Sequence, residues 1–347
     1  MTPMVALTLA ASMTVGITPS AESFDPMWTA TADTGVTARL RGLSPVSDKV
    51  AWASGSAGAV LRTTDGGRSW QLVGPPETAD LQFRDIEAFD ADSAVILAIG
   101  PGESSRVYRT DDGGASWTET FRNTDENAFY DCMAFFDHRR GIALSDPVGG
   151  KFRILSTSDG GRSWSVNPND GMPAALEGEF AFAASGTCLV TAGFGRDAWF
   201  ATGGGAEARV FHSRDRGRTW RVTDSPIPSG PSAGIYSLAF ATPWHGLAVG
   251  GDFAVPESAP DGAAYSRDGG KTWTVSSTIP GEYRSGVAFI PSGIHRAIAV
   301  GPTGSDHTRD GGRTWTRFDT SSLDSVQCVH RTCWGSGANG RVVKMTL

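Results

Sequence analysis

The octapeptide Thr157-Ser158-Asp159-Gly160-Gly161-Arg162-Ser163-Trp164 decides how this chain folds, because it recurs. The pattern Ser/Thr-x-Asp-x-Gly-x-Ser/Thr-Trp stands at residues 63–70, 110–117, 157–164, 213–220, 266–273 and 308–315. Successive tryptophans lie 47, 47, 56, 53 and 42 residues apart. A repeat of that length suits one four-stranded blade of a β-propeller, with connections of varying size.

Each element of the octapeptide has a physical task in a hairpin joining the third and fourth strands of a blade. The carboxylates of Asp65, Asp112, Asp159, Asp215, Asp268 and Asp310 can accept backbone N–H groups of their own turn. The glycine two positions on supplies backbone angles closed to other residues. The tryptophan buries a broad surface between blades. Upstream, alternating apolar segments such as residues 84–89, 94–100, 235–240 and 246–251 read as the inner strands. The predicted fold class is therefore all-β.

Six octapeptides leave one blade to be assembled from the chain ends. Residues 323–330, 332–337 and 340–345 supply three strands after the last octapeptide, and Met27-Trp28-Thr29-Ala30 looks like the tryptophan-bearing fourth. Pairing them closes a ring of seven blades and removes exposed sheet edges. The test is whether the strand beside Trp28 pairs with residues 341–345.

Composition agrees. Forty-four glycines, 19 prolines and 11 tryptophans in 347 residues describe short strands and tight turns. A net charge of −7 with scattered Lys and Arg argues against a nucleic-acid partner. Residues 1–23 carry an apolar run without an early basic residue, read as a leader for export to the periplasm or outside the cell. The remainder, from residue 24, reads as a single propeller, expected to be monomeric and without a transmembrane segment. Cys328 and Cys333 flank a turn and either form a disulfide or are simply small buried residues. Neither paired Cys/His spacing nor an Asp-x-Asp-x-Asp-Gly loop is present, so no metal is expected. Gly203-Gly204-Gly205 is not followed by a helical pattern, so no dinucleotide cofactor is expected either.

The octapeptide is the Asp-box, or bacterial neuraminidase repeat. The run from Gly58 through Leu61-Arg62-Thr63-Thr64-Asp65-Gly66-Gly67-Arg68-Ser69 to Trp70 resembles the repeat of the photosystem II stability/assembly-factor family and its bacterial relatives. The resemblance implies a seven-bladed propeller that binds assembling protein complexes. Asp-boxes also occur in sialidases and xyloglucan-cleaving glycosidases, usually remote from the substrate, so they do not carry chemistry.

A ligand is expected at the central channel, where the inner strands begin. Aligning those strands on Phe89, Phe135, Phe240 and Phe289 brings Asp85, Asp131, Tyr236 and Ser285 to one position. Arg84, Tyr130, Ile235 and Arg284 stand just before it, and the terminal blades add Arg41 and Asp324. Arg84, Asp85, Tyr130, Arg209, Tyr236, Arg284 and Asp306 are the candidate ligand-binding residues. One reading makes the channel face a binding site for a protein complex or a glycan. The alternative is a carbohydrate-active enzyme, a hydrolase before a lyase, using Asp131, Glu179 and Asp252 as acid, base or nucleophile. Against both stands the plain possibility that these polar residues only solvate the rim. A sialidase is disfavoured by the missing Arg-Ile-Pro signature, and His138, His245 and His295 fall in turns.

Overall fold

The structure is a computed structural model that describes residues 1, 25–192, 195–291 and 293–347. The expected leader lies outside the described residues. Seven four-stranded antiparallel sheets make up the fold. Blades 1 to 6 run in chain order over residues 40–72, 82–122, 130–166, 189–224, 233–275 and 286–319, and each is a simple meander. Among the described residues no helix is long and apolar enough to cross a membrane.

Blade 7 closes the ring as the sequence requires. Thr29 pairs with Lys344 and Ala30 with Val343, which adds the N-terminal strand to three C-terminal ones. Trp28 does the work of a box tryptophan. Its ring meets Phe318 of blade 6 at 6.1 Å, and its Nε1 donates to Ser305 Oγ. The next joint is similar, with Trp70 of blade 1 set edge-on to Trp334 of blade 7. Repeating apolar clusters between adjacent blades form the core.

The boxes behave as their chemistry dictates. Asp65 Oδ1 accepts the N–H groups of Arg68 and Ser69 and the Thr63 hydroxyl, while Oδ2 accepts Ser69 Oγ at 2.7 Å. The Thr63 hydroxyl in turn accepts the N–H of Gly67. The same bracing recurs around Asp159 and Asp268. These turns sit where the inner strands end, at the face opposite the channel mouth.

Two disulfides are present. Cys328 and Cys333 face one another across adjacent strands, with Cα atoms 4.0 Å apart. Cys132 and Cys188 link blades 3 and 4. No local pattern marks this second bridge, because its partners are 56 residues apart and meet only when blades 3 and 4 pack together.

Candidate functional site

The channel mouth is shaped by a repeated irregularity. In four blades the pairing of the first strand with the second slips at one residue: Arg41, Arg84, Asp131 and Tyr236. Such a bulge leaves one residue outside the ladder and re-aims its side chain. Ser285 and Asp324 occupy the matching place in blades 6 and 7, each donating its N–H to the end of the neighbouring second strand. In blade 2 the structure shifts the expected alignment. The inner strand ends at Ala88, paired with Ala94, rather than at Phe89. Arg84 therefore belongs to the ring and Asp85 lies one step below it.

Blade 4 breaks the pattern in another way. Its first strand is only Leu189–Ala192, and residues 180–187 before it run across the channel. Arg84 Nη1 of blade 2 donates to Ala183 O at 2.8 Å. Ser185 Oγ donates to Ser285 O of blade 6, and Thr187 Oγ1 bonds Ser237 Oγ of blade 5. Gly186 adopts φ 76°, and a Cβ there would stand 2.5 Å from Asp85 Oδ1. This plug bonds to five other blades, among them blade 3 through Asp146 and blade 7 through Ser325, and divides the channel into two chambers.

The upper chamber is a hollow of about 520 Å³ whose lining includes Arg39, Arg41, Arg84, Phe182, Tyr236 and Tyr283. Phe182 stacks on Tyr236 at 3.9 Å, and Tyr236 meets Tyr283 edge-on at 4.7 Å. Phe253, 56% exposed, lies at the rim. Asp324 is the single carboxylate among the lining residues. Arg39 grips it through two hydrogen bonds of 2.8 and 2.6 Å, whereas Arg41 Nε stands 3.9 Å from it. Arg41 Nε is buried and makes no hydrogen bond. Burial, with Arg41 and Arg39 beside it, pulls Arg84 down to about 10, so it stays charged at neutral pH. Three guanidiniums against one carboxylate leave the chamber with an excess of positive charge between aromatic walls.

Other predicted residues are engaged elsewhere. Glu179 accepts Arg209 Nε at 2.9 Å, a short contact from Arg209 Nη2, the Thr202 hydroxyl and the Leu176 N–H. That buried pair fixes the start of the plug segment to blade 4. Arg284 is fully buried and clasps Asp306 through Nε at 2.7 Å, bracing blade 6. Asp252 Oδ1 accepts Ser232 Oγ and the Ala254 N–H, an Asx turn at the rim. Tyr130 faces away from the channel, buried edge-on to Phe121, and burial lifts its hydroxyl to about 12. Asp131, Glu179 and Asp252 are thus placed in three separate settings, each with its own partners.

Asp131 is paired with Asp146, at the end of the second strand of the same blade. The two carboxyls lie close enough to influence one another's ionisation, and Asp131 Oδ2 is buried without a hydrogen-bond partner. Burial pushes both upward, Asp146 to about 7, and the charge of Asp146 further disfavours ionisation of Asp131. Asp146 Oδ1 also accepts the Ala181 N–H, so the pair anchors the entry to the plug.

Below the plug is a polar chamber of about 310 Å³ containing Asp85 and Glu87. Asp85 Oδ1 accepts the Ile86 N–H, and Oδ2 accepts the Met133 N–H of blade 3 at 2.6 Å. Burial raises Glu87 to about 8. Sequence reading missed Glu87, Arg39 and Phe182. Glu87 and Asp85 alternate along one strand and so share its channel face, a signal that was available.

Residues 264–275 match the BNR/Asp-box repeat family. No curated protein matches the chain by sequence. Among solved structures, YCF48 bound to D1 peptide is similar, with a TM-score of 0.63 and 15% identity over 92% of this chain and 97% of that one. YCF48 from Cyanidioschyzon merolae gives the same score and identity over 92% and 98%. A GH74 xyloglucanase from Xanthomonas campestris also scores 0.63 at 16% identity, over 92% of this chain but 53% of the enzyme. At such identities the likeness is one of fold. Repeat and ring together make this chain a seven-bladed β-propeller of Asp-box type.

Proposed function

We propose that the protein is a binding propeller that takes up a carboxylate-bearing, partly apolar peptide segment of a partner protein in its upper chamber. The observation that carries this is the convergence of Arg39, Arg41 and Arg84 on a chamber with a single acid, Asp324, beneath the aromatic residues Phe182, Tyr236 and Phe253. Guanidinium groups recognise carboxylates through paired N–H donors, and aromatic walls hold an adjacent apolar side chain at little entropic cost. The likeness in fold to a propeller bound to a peptide supports the same direction. Two disulfides favour an oxidising compartment, in keeping with an exported protein. The test is a peptide array probed with the purified chain, in which each sequence appears with a free and an amidated C-terminus and with acidic or neutral side chains. Binding that follows carboxylates and is lost in Arg41→Gln/Arg84→Gln supports the reading; binding indifferent to both rejects it.

A second reading rests on Asp131 and Asp146. A protonated Asp131 beside Asp146 and Arg84 brings a proton donor and an acceptor to one place, the elements of acid–base chemistry on a glycan. Release of reducing ends from a glycan panel, abolished by Asp131→Asn in a folded protein, would favour it over simple binding.

A further inference from the structure

The fourth Asp-box departs from the other five at one position. Where they carry Gly66, Gly113, Gly160, Gly269 and Gly311, at φ between 74° and 81°, this box carries Arg216 at φ 62°. Left-handed backbone is costly for a long side chain and the turn has no need of one, so an arginine retained there against strain points to a task for its guanidinium.

Arg216 lines a hollow of about 560 Å³ where the box turns of blades 3 and 4 meet, together with Arg218, Arg140, Trp164, Asn167 and one acid, Asp170, against the three arginines. The connection leaving blade 3 makes room for it: the outer strand is only Ser165–Val166, and the chain then turns aside at Pro168. Arg140 is already paired with Asp137 at 2.8 Å. Arg216 Nε donates to Gly195 O at 2.6 Å, yet among the described residues no carboxylate pairs with Arg216 or Arg218. Asn167 Oδ1 accepts the Ser156 hydroxyl, which leaves its amide N–H groups as donors. Two unpaired guanidiniums beside a half-buried indole, on a protein of net charge −7, form a local site for an anion that also has a ring face to stack.

We infer that this groove binds an acidic carbohydrate, with Arg216 and Arg218 on its carboxylate or sulfate groups and Trp164 against a sugar face. The groove lies at the box face, opposite the channel mouth, so its fate is independent of the peptide reading.

The natural variant for a test is Arg216→Gly, which restores the residue of the five sister boxes and so preserves the fold. Oligogalacturonate, chondroitin sulfate, neutral dextran and polyuridylate are titrated into the full chain while tryptophan fluorescence is followed. The expected result is saturable binding of oligogalacturonate, chondroitin sulfate or both, none of dextran or polyuridylate, and at least a tenfold loss of affinity in Arg216→Gly and in Arg218→Ala. Preference for the first or the second identifies carboxylate or sulfate as the group recognised. Thermal unfolding of Arg216→Gly should be unchanged or shifted upward. The inference is overturned if neither acidic glycan binds, if dextran or polyuridylate binds equally well, or if Arg216→Gly keeps full affinity. It is likewise overturned if Arg216→Gly lowers thermal stability without weakening binding, since Arg216 would then serve only to tether Gly195.

Discussion

Arg84 Nη1 donates to Ala183 O, 2.8 Å away and 99 residues further along the chain, and this bond ties the second blade to the segment that stops the channel. The same side chain supplies one of the three positive charges of the upper chamber. Arg84→Ala should therefore act twice, loosening the plug and reducing the positive charge of the upper chamber. A hydrogen bond from a charged donor contributes about 1.5–3 kcal/mol. Hydrogen exchange at residues 181–187 should accelerate, while the outer strands stay protected.

Gly186 is the tightest point of the plug, with a left-handed backbone and Asp85 Oδ1 where a Cβ would go. Asp85 cannot swing away freely, because it holds the N–H groups of Ile86 and Met133. Gly186→Ala should destabilise the fold by about 1–3 kcal/mol in denaturant melts. Gly149→Ala, at φ 64° with open space around it, should cost less.

Stability should fall as pH rises from the mildly acidic range through about 7. Asp131 and Asp146 are both raised in the fold by burial, and Asp131 also by the charge of Asp146, so the folded chain holds a proton that the unfolded chain has released. Their favourable contribution is complete below the ordinary carboxyl range and is lost as pH climbs through the folded value. The box carboxylates act in the opposite sense. The Ser69 and Ser116 hydroxyls lead the groups that hold Asp65 and Asp112 down to about 2, so that part of the stability is lost only as pH falls toward that value. Asp131→Asn should flatten the decline between about pH 5 and 8 in thermal unfolding.

Reduction should weaken the ring in two unequal steps. The bridge between Cys132 and Cys188 closes 56 residues and Cys328–Cys333 only 5. Loop-closure entropy gives about 4 kcal/mol for the first and about 2 for the second. Calorimetry of the two double-serine variants should show the larger loss for Cys132→Ser/Cys188→Ser.

The architecture was legible because each box is a local device whose residues speak for themselves. Asp65 and Thr63 meet two residues apart, and Trp28 could be matched to the box tryptophans without knowing its partner strand. The chamber was harder to read. Counting from Phe89 rather than Ala88 exchanged Arg84 for Asp85, and a one-residue slip changes the face on which a strand side chain lies. Glu179 and Arg209 looked like free functional groups because their mutual clasp spans 30 residues. The plug had only indirect signs, a long connection after Trp164 and glycines at 178 and 186, since its bonds reach residues from 99 positions before it to 140 after it in the chain.

The most direct test of the channel-mouth reading is calorimetric titration of an array-selected peptide, as free acid and as amide, into the wild type and Arg41→Gln/Arg84→Gln. The account predicts that loss of the carboxylate weakens binding at least tenfold in the wild type and changes little in the double variant, because the charges that read it are gone. Equal loss in both proteins, or equal affinity of acid and amide for the wild type, would contradict it.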